Sequence, residues 1–224
     1  MVEGKRKFFS LAYDAKGFIL SLAFLALLGG VGWFGYAQIF TKGLERLPAK
    51  ICDGAADRGH AADLLPSARS ASVTAEGEDG RKEDGDFVFS CQISTSNDSL
   101  LSGSVRMGEV SVEDWVSRYR PYSDSEVVRV SVDRVSALAQ LDEEYGTSSV
   151  YVPCFSEGAG LGDSGGLHAL VARAHVIGES RLTGAELRQA VTDFAYQLTK
   201  RAYALGECEP GVDFPERLPR YESS

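Results

Sequence analysis

The feature that most constrains this chain is an uncharged, largely apolar run from Gly17 to Thr41. At about 1.5 Å of rise per residue, a helix of this length crosses a hydrocarbon core about 30 Å thick and leaves room for tilt. Aromatic residues cluster toward the far end of the run, as is typical of a membrane interface: Trp33, Phe34 and Tyr36. We therefore predict a transmembrane helix over residues 17–41.

The flank before the run is basic and sets the predicted orientation. It carries Lys5, Arg6, Lys7 and Lys16 against Glu3 and Asp14. Excess Lys and Arg favours the cytoplasmic side, so residues 1–16 are expected in the cytoplasm and the chain from residue 42 outside it. A cleaved signal peptide is the alternative, with Gly35-Tyr36-Ala37 as the cleavage site. Its apolar region would span about 7–15 residues, which is shorter than this run, so an uncleaved signal anchor in the cell membrane is favoured.

Four cysteines follow the apolar run: Cys52, Cys91, Cys154 and Cys208. An even number of cysteines in an exported domain indicates two disulfides, and four cysteines allow three pairings. No two of them have the close spacing of a zinc knuckle, and none has a histidine nearby. The sequence therefore predicts disulfides and no metal site.

The chain is acidic, with 32 Asp and Glu against 23 Lys and Arg and a net charge of −9. This balance disfavours nucleic acid and anionic lipid headgroups as partners. No phosphate-binding glycine loop precedes a helix, so no cofactor is predicted. The expected partner is another membrane or envelope protein.

Hydrophobic periodicity predicts an α+β domain over residues 51–209, after a juxtamembrane linker over 42–50 and before an irregular tail over 210–224. The predicted helices cover residues 52–65 with Asp53 as N-cap, 111–119 and 184–205, the last with a capping box of Thr183 and Glu186 and with Gly206 at its end. The predicted strands cover residues 86–94, 100–110, 126–132, 148–154 and 167–177. Residues 74–86 lack an apolar face and are predicted to form a loop.

The order of these elements suggests a duplication. Phe87 to Cys91 matches Val150 to Cys154, and each segment lies in a predicted strand that is followed by a second strand and a capped helix. Two related strand–strand–helix halves, about 51–122 and 123–209, would build antiparallel sheets. On that hypothesis the natural disulfides lie within each half, Cys52–Cys91 and Cys154–Cys208.

One part of the chain resembles a known family. Cys52, a helix ending in Leu64-Leu65-Pro66, a polar loop and then Phe89-Ser-Cys91-Gln are similar to a family of exported, membrane-tethered actinobacterial proteins, many of them lipoproteins. The likeness covers about 45 residues, and this chain has an apolar helix where those proteins have a lipidated cysteine. The resemblance implies an envelope-facing α+β domain without a known catalytic site, in which the first cysteine pairs with the strand cysteine.

Gly162-Asp163-Ser164-Gly165-Gly166 resembles the nucleophile loop of chymotrypsin-like serine proteases. A nucleophilic Ser164 needs a histidine base held by a carboxylate, and the chain order of that family permits only His60. His60 lies in a predicted helix soon after the apolar run, which leaves no room for preceding barrel strands. The loop over residues 157–166 is therefore interpreted as a flexible turn-rich segment.

Two other sets of residues were considered as sites. His168 and His175 fall on opposite faces of one predicted strand, which prevents them from chelating one metal ion. Trp115 and Tyr119 are four apart on a predicted helix, which favours a core position over a ligand platform. The sequence thus predicts a membrane-anchored binding or assembly module of the bacterial cell envelope without a catalytic site, with a serine hydrolase using Ser164 as the alternative.

Overall fold

The computed structural model describes residues 15–77, 87–119, 127–140, 146–154, 168–208 and 212–221. The chain divides into two compact units, Met1–Ile39 and Phe40–Ser224. The predicted loop over residues 157–166, which carries Ser164, lies outside the described residues. Most of the predicted loop over 74–86 also lies outside them.

The first unit contains a helix, α1 (Ala15–Phe40), whose apolar side chains are exposed around its circumference. Trp33, for example, is 75 % exposed and Leu20 is 70 % exposed. Its segment Gly17–Tyr36 is the one described helix that is long and apolar enough to cross a membrane. The prediction of a long N-terminal apolar helix is therefore confirmed.

The second unit is α+β, with an antiparallel sheet as predicted. After a 3-10 turn at Leu44–Arg46, a two-stranded ribbon of β1 (Lys50–Ile51) and β2 (Ala56–Asp57) leads into α2 (Arg58–Leu64). The main sheet has seven strands in the spatial order β3-β4-β5-β9-β8-β7-β6. Its bounds are β3 (Ala71–Gly77), β4 (Val88–Thr95), β5 (Leu100–Glu109), β6 (Val127–Val132), β7 (Val135–Gln140), β8 (Thr147–Pro153) and β9 (His168–Ile177).

Two helices cover opposite faces of this sheet. The long helix α4 (Gly184–Leu205) buries its predicted apolar stripe, including Leu187, Phe194 and Leu198, against one face. The short helix α3 (Val112–Arg118) packs Trp115 against the other face, at the end formed by β7, β8 and β9. Successive strand residues alternate between these faces, so Val150 faces α4 and its neighbour Tyr151 faces α3.

The N-terminal side of α2 differs from the prediction. Residues 52–55 form a turn, and the helix begins at Arg58 with Asp57 as N-cap, so Asp53 does not cap it. Cys52 and Asp53 have φ values of 56° and 57°, and Gly54 has 81°. Three consecutive left-handed residues cannot continue a right-handed helix. The predicted end is correct, because α2 stops at Leu64, just ahead of Pro66.

Two strands of the main sheet were missed by the sequence analysis, as was the short ribbon of β1 and β2. Thr74 to Gly77 belongs to edge strand β3, although the absence of an apolar face predicted a loop. Strand β7 was not predicted, and all six of its residues are buried. Strand β8 is also buried on both faces and was predicted, but β7 lacks the run of β-branched and aromatic residues that β8 has in Val150 to Val152.

The caps of the two predicted helices have different outcomes. The sequence from Ser111 to Asp114 predicts a serine N-cap for α3, and Ser111 accepts a hydrogen bond from the Asp114 N–H at 3.1 Å, which confirms it. Thr183 makes no side-chain bond to α4, so the predicted capping box is wrong there. Gly206 ends α4 as predicted but has a φ of −78°, and the left-handed residue is Glu207, with a φ of 49°.

The two predicted halves share one sheet, because β5 pairs with β9 along ten residues. If the two halves were equivalent, a two-fold rotation between β5 and β9 would exchange β4 with β8 and β5 with β9. That rotation would place the helices that follow the two strand pairs on the same face of the sheet. Helices α3 and α4 lie on opposite faces. The equivalence of the halves therefore does not extend to their helices.

Two disulfides connect the sheet to its surroundings. Cys52–Cys91 joins the β1–β2 turn to strand β4, and Cys154–Cys208 joins the end of β8 to the residues just after α4. These are the pairs within each half that the duplication hypothesis predicts. All but Cys208 are buried in the main core.

The C-terminal segment over residues 212–221 has no helix or strand, as predicted, but it is packed. The rings of Phe214 and Tyr203 meet edge to face at 5.0 Å, and the Tyr196 hydroxyl donates a hydrogen bond to the Pro215 carbonyl. The Tyr221 hydroxyl lies 3.1 Å from Thr192 Oγ1, which is itself 2.8 Å from Ser148 Oγ. The segment therefore holds α4 from its outer side.

Candidate functional site: an arginine-lined cleft

A cavity of about 480 Å³ opens on the face of the sheet that carries α3. Three elements each contribute an arginine to its lining: Arg106 from β5, Arg118 from α3 and Arg173 from β9. We refer to this cavity as the arginine cleft. It lies entirely within the second unit.

Strand register brings two of these arginines together. Arg106 is opposite Val171, and Arg173 is opposite Ser104, so the two arginines are diagonal neighbours on adjacent strands. Diagonal neighbours on one face are about 7–8 Å apart, which two long guanidinium side chains can bridge. Ser104 lines the same cavity between them.

Trp115 positions the third arginine. Its indole N–H donates to Ser149 Oγ at 2.9 Å, and its ring lies 5.3 Å from that of Tyr151. Tyr119 reinforces the helix end by donating to the Thr147 carbonyl at 3.3 Å. These contacts hold α3 over the sheet and place Arg118, one turn after Trp115, at the cleft. Trp115 and Tyr119 are 3 % and 9 % exposed, which confirms their predicted core positions.

None of the three guanidinium groups forms an ion pair within the part of the chain that the structure describes, and all three side chains are exposed. Glu109 is the one carboxylate among the described lining residues, and it lies 3.9 Å from His168 Nε2. The described lining therefore carries three formal positive charges against one negative charge, in a chain whose net charge is −9.

A larger cavity, about 710 Å³, lies among α2, α4 and the C-terminal segment, and has a mixed lining. Asp63, Glu186 and Asp193 oppose Arg181 and Arg220 there. Burial raises the pKa of Asp193, although Gln189 donates to it at 3.0 Å. Because its charges are of both signs, this cavity has no consistent charge preference.

The histidines considered in the sequence lie apart. His60 is on α2, half-buried, and makes no hydrogen bond to a carboxylate among the described residues. His168 and His175 are at opposite ends of β9 and, as predicted, on opposite faces. Burial lowers the pKa of His175. Within the described ranges no group of His, Cys, Asp and Glu is arranged to hold a metal ion.

The serine protease interpretation concerned Ser164, which is outside the described residues. The described strands form one seven-stranded sheet and one two-stranded ribbon. This architecture differs from the pair of β-barrels in which the His–Asp–Ser order of that motif functions. Nothing in the described geometry therefore favours a hydrolase.

Sequence reasoning missed the arginine cleft. Arg106, Arg118 and Arg173 are far apart along the chain, and no spacing rule connects them. The available signal was weak: Arg106 and Arg173 each fall on the polar side of an alternating strand, where a solvated position is the ordinary explanation.

The chain has no significant match to a protein-family model, to a curated protein or to a solved structure. What it does has therefore to be argued from its own architecture and its own cleft.

Proposed function

We propose that this protein is a single-pass membrane protein whose second unit acts outside the cytoplasm as a binding or assembly module of the cell envelope. The proposal is carried by α1, whose apolar side chains are exposed all round and would be solvated at high cost in water. A bilayer removes that cost.

Two further observations support the proposal. Both disulfides require an oxidising compartment to form and persist, which agrees with a second unit outside the cytoplasm. The arginine cleft supplies a concave, charged site within that unit, as a binding module needs.

Topology is tested with reporters fused after Ser224 in the full chain. We expect alkaline phosphatase, which needs disulfides, to be active, and a cytoplasmic fluorescent reporter to be dark. Replacing the basic flank by Lys5→Glu, Arg6→Glu and Lys7→Glu should reduce the phosphatase signal, because the Lys and Arg bias sets orientation. A fusion with inactive phosphatase and a bright cytoplasmic reporter would contradict the proposal.

Binding at the cleft is tested by cross-linking in intact cells. A photo-reactive amino acid replaces Arg118 in the full chain, and a matched variant carries it at Arg134, an exposed arginine in the β6–β7 turn away from the cleft. We expect discrete cross-linked species at position 118 and not at position 134. Equal cross-linking at the two positions would contradict a binding role for the cleft.

A further inference from the structure

We infer that the arginine cleft binds a small polyhydroxylated anion, a sugar acid or a polyol phosphate, through Arg106, Arg118 and Arg173. This inference rests on the proposed binding role and specifies the chemistry of its ligand.

The charge of the cleft lining favours an anionic ligand. Three guanidinium groups converge on one cavity, and the described lining offers one carboxylate in return. The three like charges repel one another across the cavity. A bound anion relieves this repulsion, and the planar guanidinium fork matches carboxylate and phosphate oxygens in a bidentate geometry.

The surroundings of the cleft also favour an anion. On this face, the side chains of β3, β4, β5 and β9 include a single acidic residue, Glu76, which lies on the edge strand β3. The chain has 32 acidic residues in all. Helix α3, which covers part of the same face, adds Glu113 and Asp114 in its first turn, but neither is among the residues that line the cleft. The excess of positive charge is therefore a property of the cleft lining itself.

Ser104 is the one hydroxyl-bearing residue among the described residues that line the cleft, and its neighbours on the same face of the sheet are also polar. Ser104 lines the cleft, faces Arg173 across the β5–β9 pair and has Ser90 on its other side. Ser102 and Gln92 form the next row of the same face. The side chains of Ser90, Gln92, Ser102 and Ser104 make no hydrogen bond to another described residue. Hydroxyls both donate and accept, so they suit a ligand that carries its own hydroxyls.

Other ligand classes fit less well. The described lining has no cluster of metal-ligating residues. Apolar side chains also line the cleft, but an apolar ligand would have to displace water from three exposed guanidinium groups without offering them a hydrogen-bond acceptor, which costs free energy. A cavity of 480 Å³ is within the usual size range for a small-molecule site.

The test measures binding by isothermal titration calorimetry on the full chain in nanodiscs of uncharged lipid. Glucuronate and glycerol phosphate are the two hydroxylated anions and separate the carboxylate source from the phosphate source. Acetate and inorganic phosphate are the matched anions without alcohol hydroxyls, and glucose is the uncharged control. We expect at least one hydroxylated anion to bind more tightly than its plain counterpart, and glucose not to bind.

The variants identify the site. Arg173→Gln should weaken binding of the hydroxylated anion by about 10-fold or more, since a charge-assisted hydrogen bond contributes about 1.5–3 kcal/mol. Arg134→Gln removes the same charge away from the cleft and should leave affinity unchanged. Ser104→Ala should weaken the hydroxylated anion several-fold and leave the plain anion unaffected, and unchanged thermal unfolding would establish that the variants are folded.

The inference is overturned if no anion binds, or if Arg173→Gln and Arg134→Gln have equal effects. Its failure is distinguishable from failure of the proposed function. Active exported phosphatase and site-specific cross-linking without anion binding would remove the ligand class and leave the membrane-anchored module standing.

Discussion

At the scale of single residues, Tyr221 illustrates how a polar group is used inside this unit. It is 9 % exposed, and its hydroxyl joins Thr192 and Ser148 in a buried hydrogen-bonded group between α4 and strand β8. A buried phenol without a partner would cost free energy, so the network both permits the burial and holds the C-terminal segment in place.

We predict that Tyr221→Phe lowers the free energy of unfolding by about 1 kcal/mol, because one buried hydrogen bond is lost while the ring is retained. Chemical denaturation followed by circular dichroism measures it. Thr192→Val provides a double-mutant cycle with a coupling energy of similar size. Additive effects of the two substitutions would contradict the contact.

Stability should also depend on alkaline pH. Burial raises the pKa of Tyr196 and of Tyr221 to about 12. Below pH 10 both phenols are protonated in the folded and unfolded chains, and their contribution is fully present. Between pH 10 and about 12 the unfolded phenols ionise first, so stability falls as pH rises. The fall should be shallower in the Tyr196→Phe/Tyr221→Phe variant, and an unchanged slope would show that other groups cause it.

At the scale of elements, the approach of α4 to the sheet depends on Gly103. A Cβ built on this β5 residue meets Leu198 Cδ1 in hard overlap and Phe194 Cε1 at 3.0 Å. The helix therefore lies as close as it does because one strand position has no side chain. Sequence periodicity located both elements correctly, but nothing in it indicated which strand residue the helix would cross.

We predict that Gly103→Ala destabilises the second unit by about 1–3 kcal/mol, the usual cost of overpacking a core. Gly108→Ala is the matched control on the same strand, where an added Cβ meets nothing within 4 Å. Thermal unfolding of the two variants should separate them clearly. Equal midpoints would mean that α4 adjusts without cost.

At the scale of the whole molecule, the two disulfides close loops of 39 and 54 residues and attach both ends of the second unit to one sheet. Loop-closure entropy predicts that each contributes about 4 kcal/mol by restricting the unfolded chain. This is a large fraction of the stability of a typical domain.

We predict that Cys52→Ala/Cys91→Ala and Cys154→Ala/Cys208→Ala each lower the free energy of unfolding by about 4 kcal/mol. Guanidinium unfolding of the full chain in detergent measures it, with the reduced wild type as a control for loss of both bonds. A loss below about 1 kcal/mol would contradict the entropic estimate. Non-reducing peptide mapping that joined Cys52 to Cys154 would contradict the pairing itself.

The sequence by itself determined the features that depend on local chemistry. The apolar run specified α1, because its length and lack of charge leave few alternatives. Regular alternation located β6, β-branched and aromatic residues located β4, and β5, β8 and β9 were also predicted as strands. The 3.6-residue stripe located α4 with its bounds. Each of these elements is predicted from the residues of its own segment, without knowledge of its tertiary contacts.

Only the tertiary structure decided which strands are neighbours, which face each helix covers and where the arginines meet. Strand β7 was missed because its small and polar residues give little strand propensity, and β3 because an edge strand has little to bury. Arg106 and Arg173 share a cleft because β5 pairs with β9, and Arg118 joins them because Trp115 bonds Ser149. Such long-range pairings depend on register and packing across the whole unit, which no single segment of the sequence encodes.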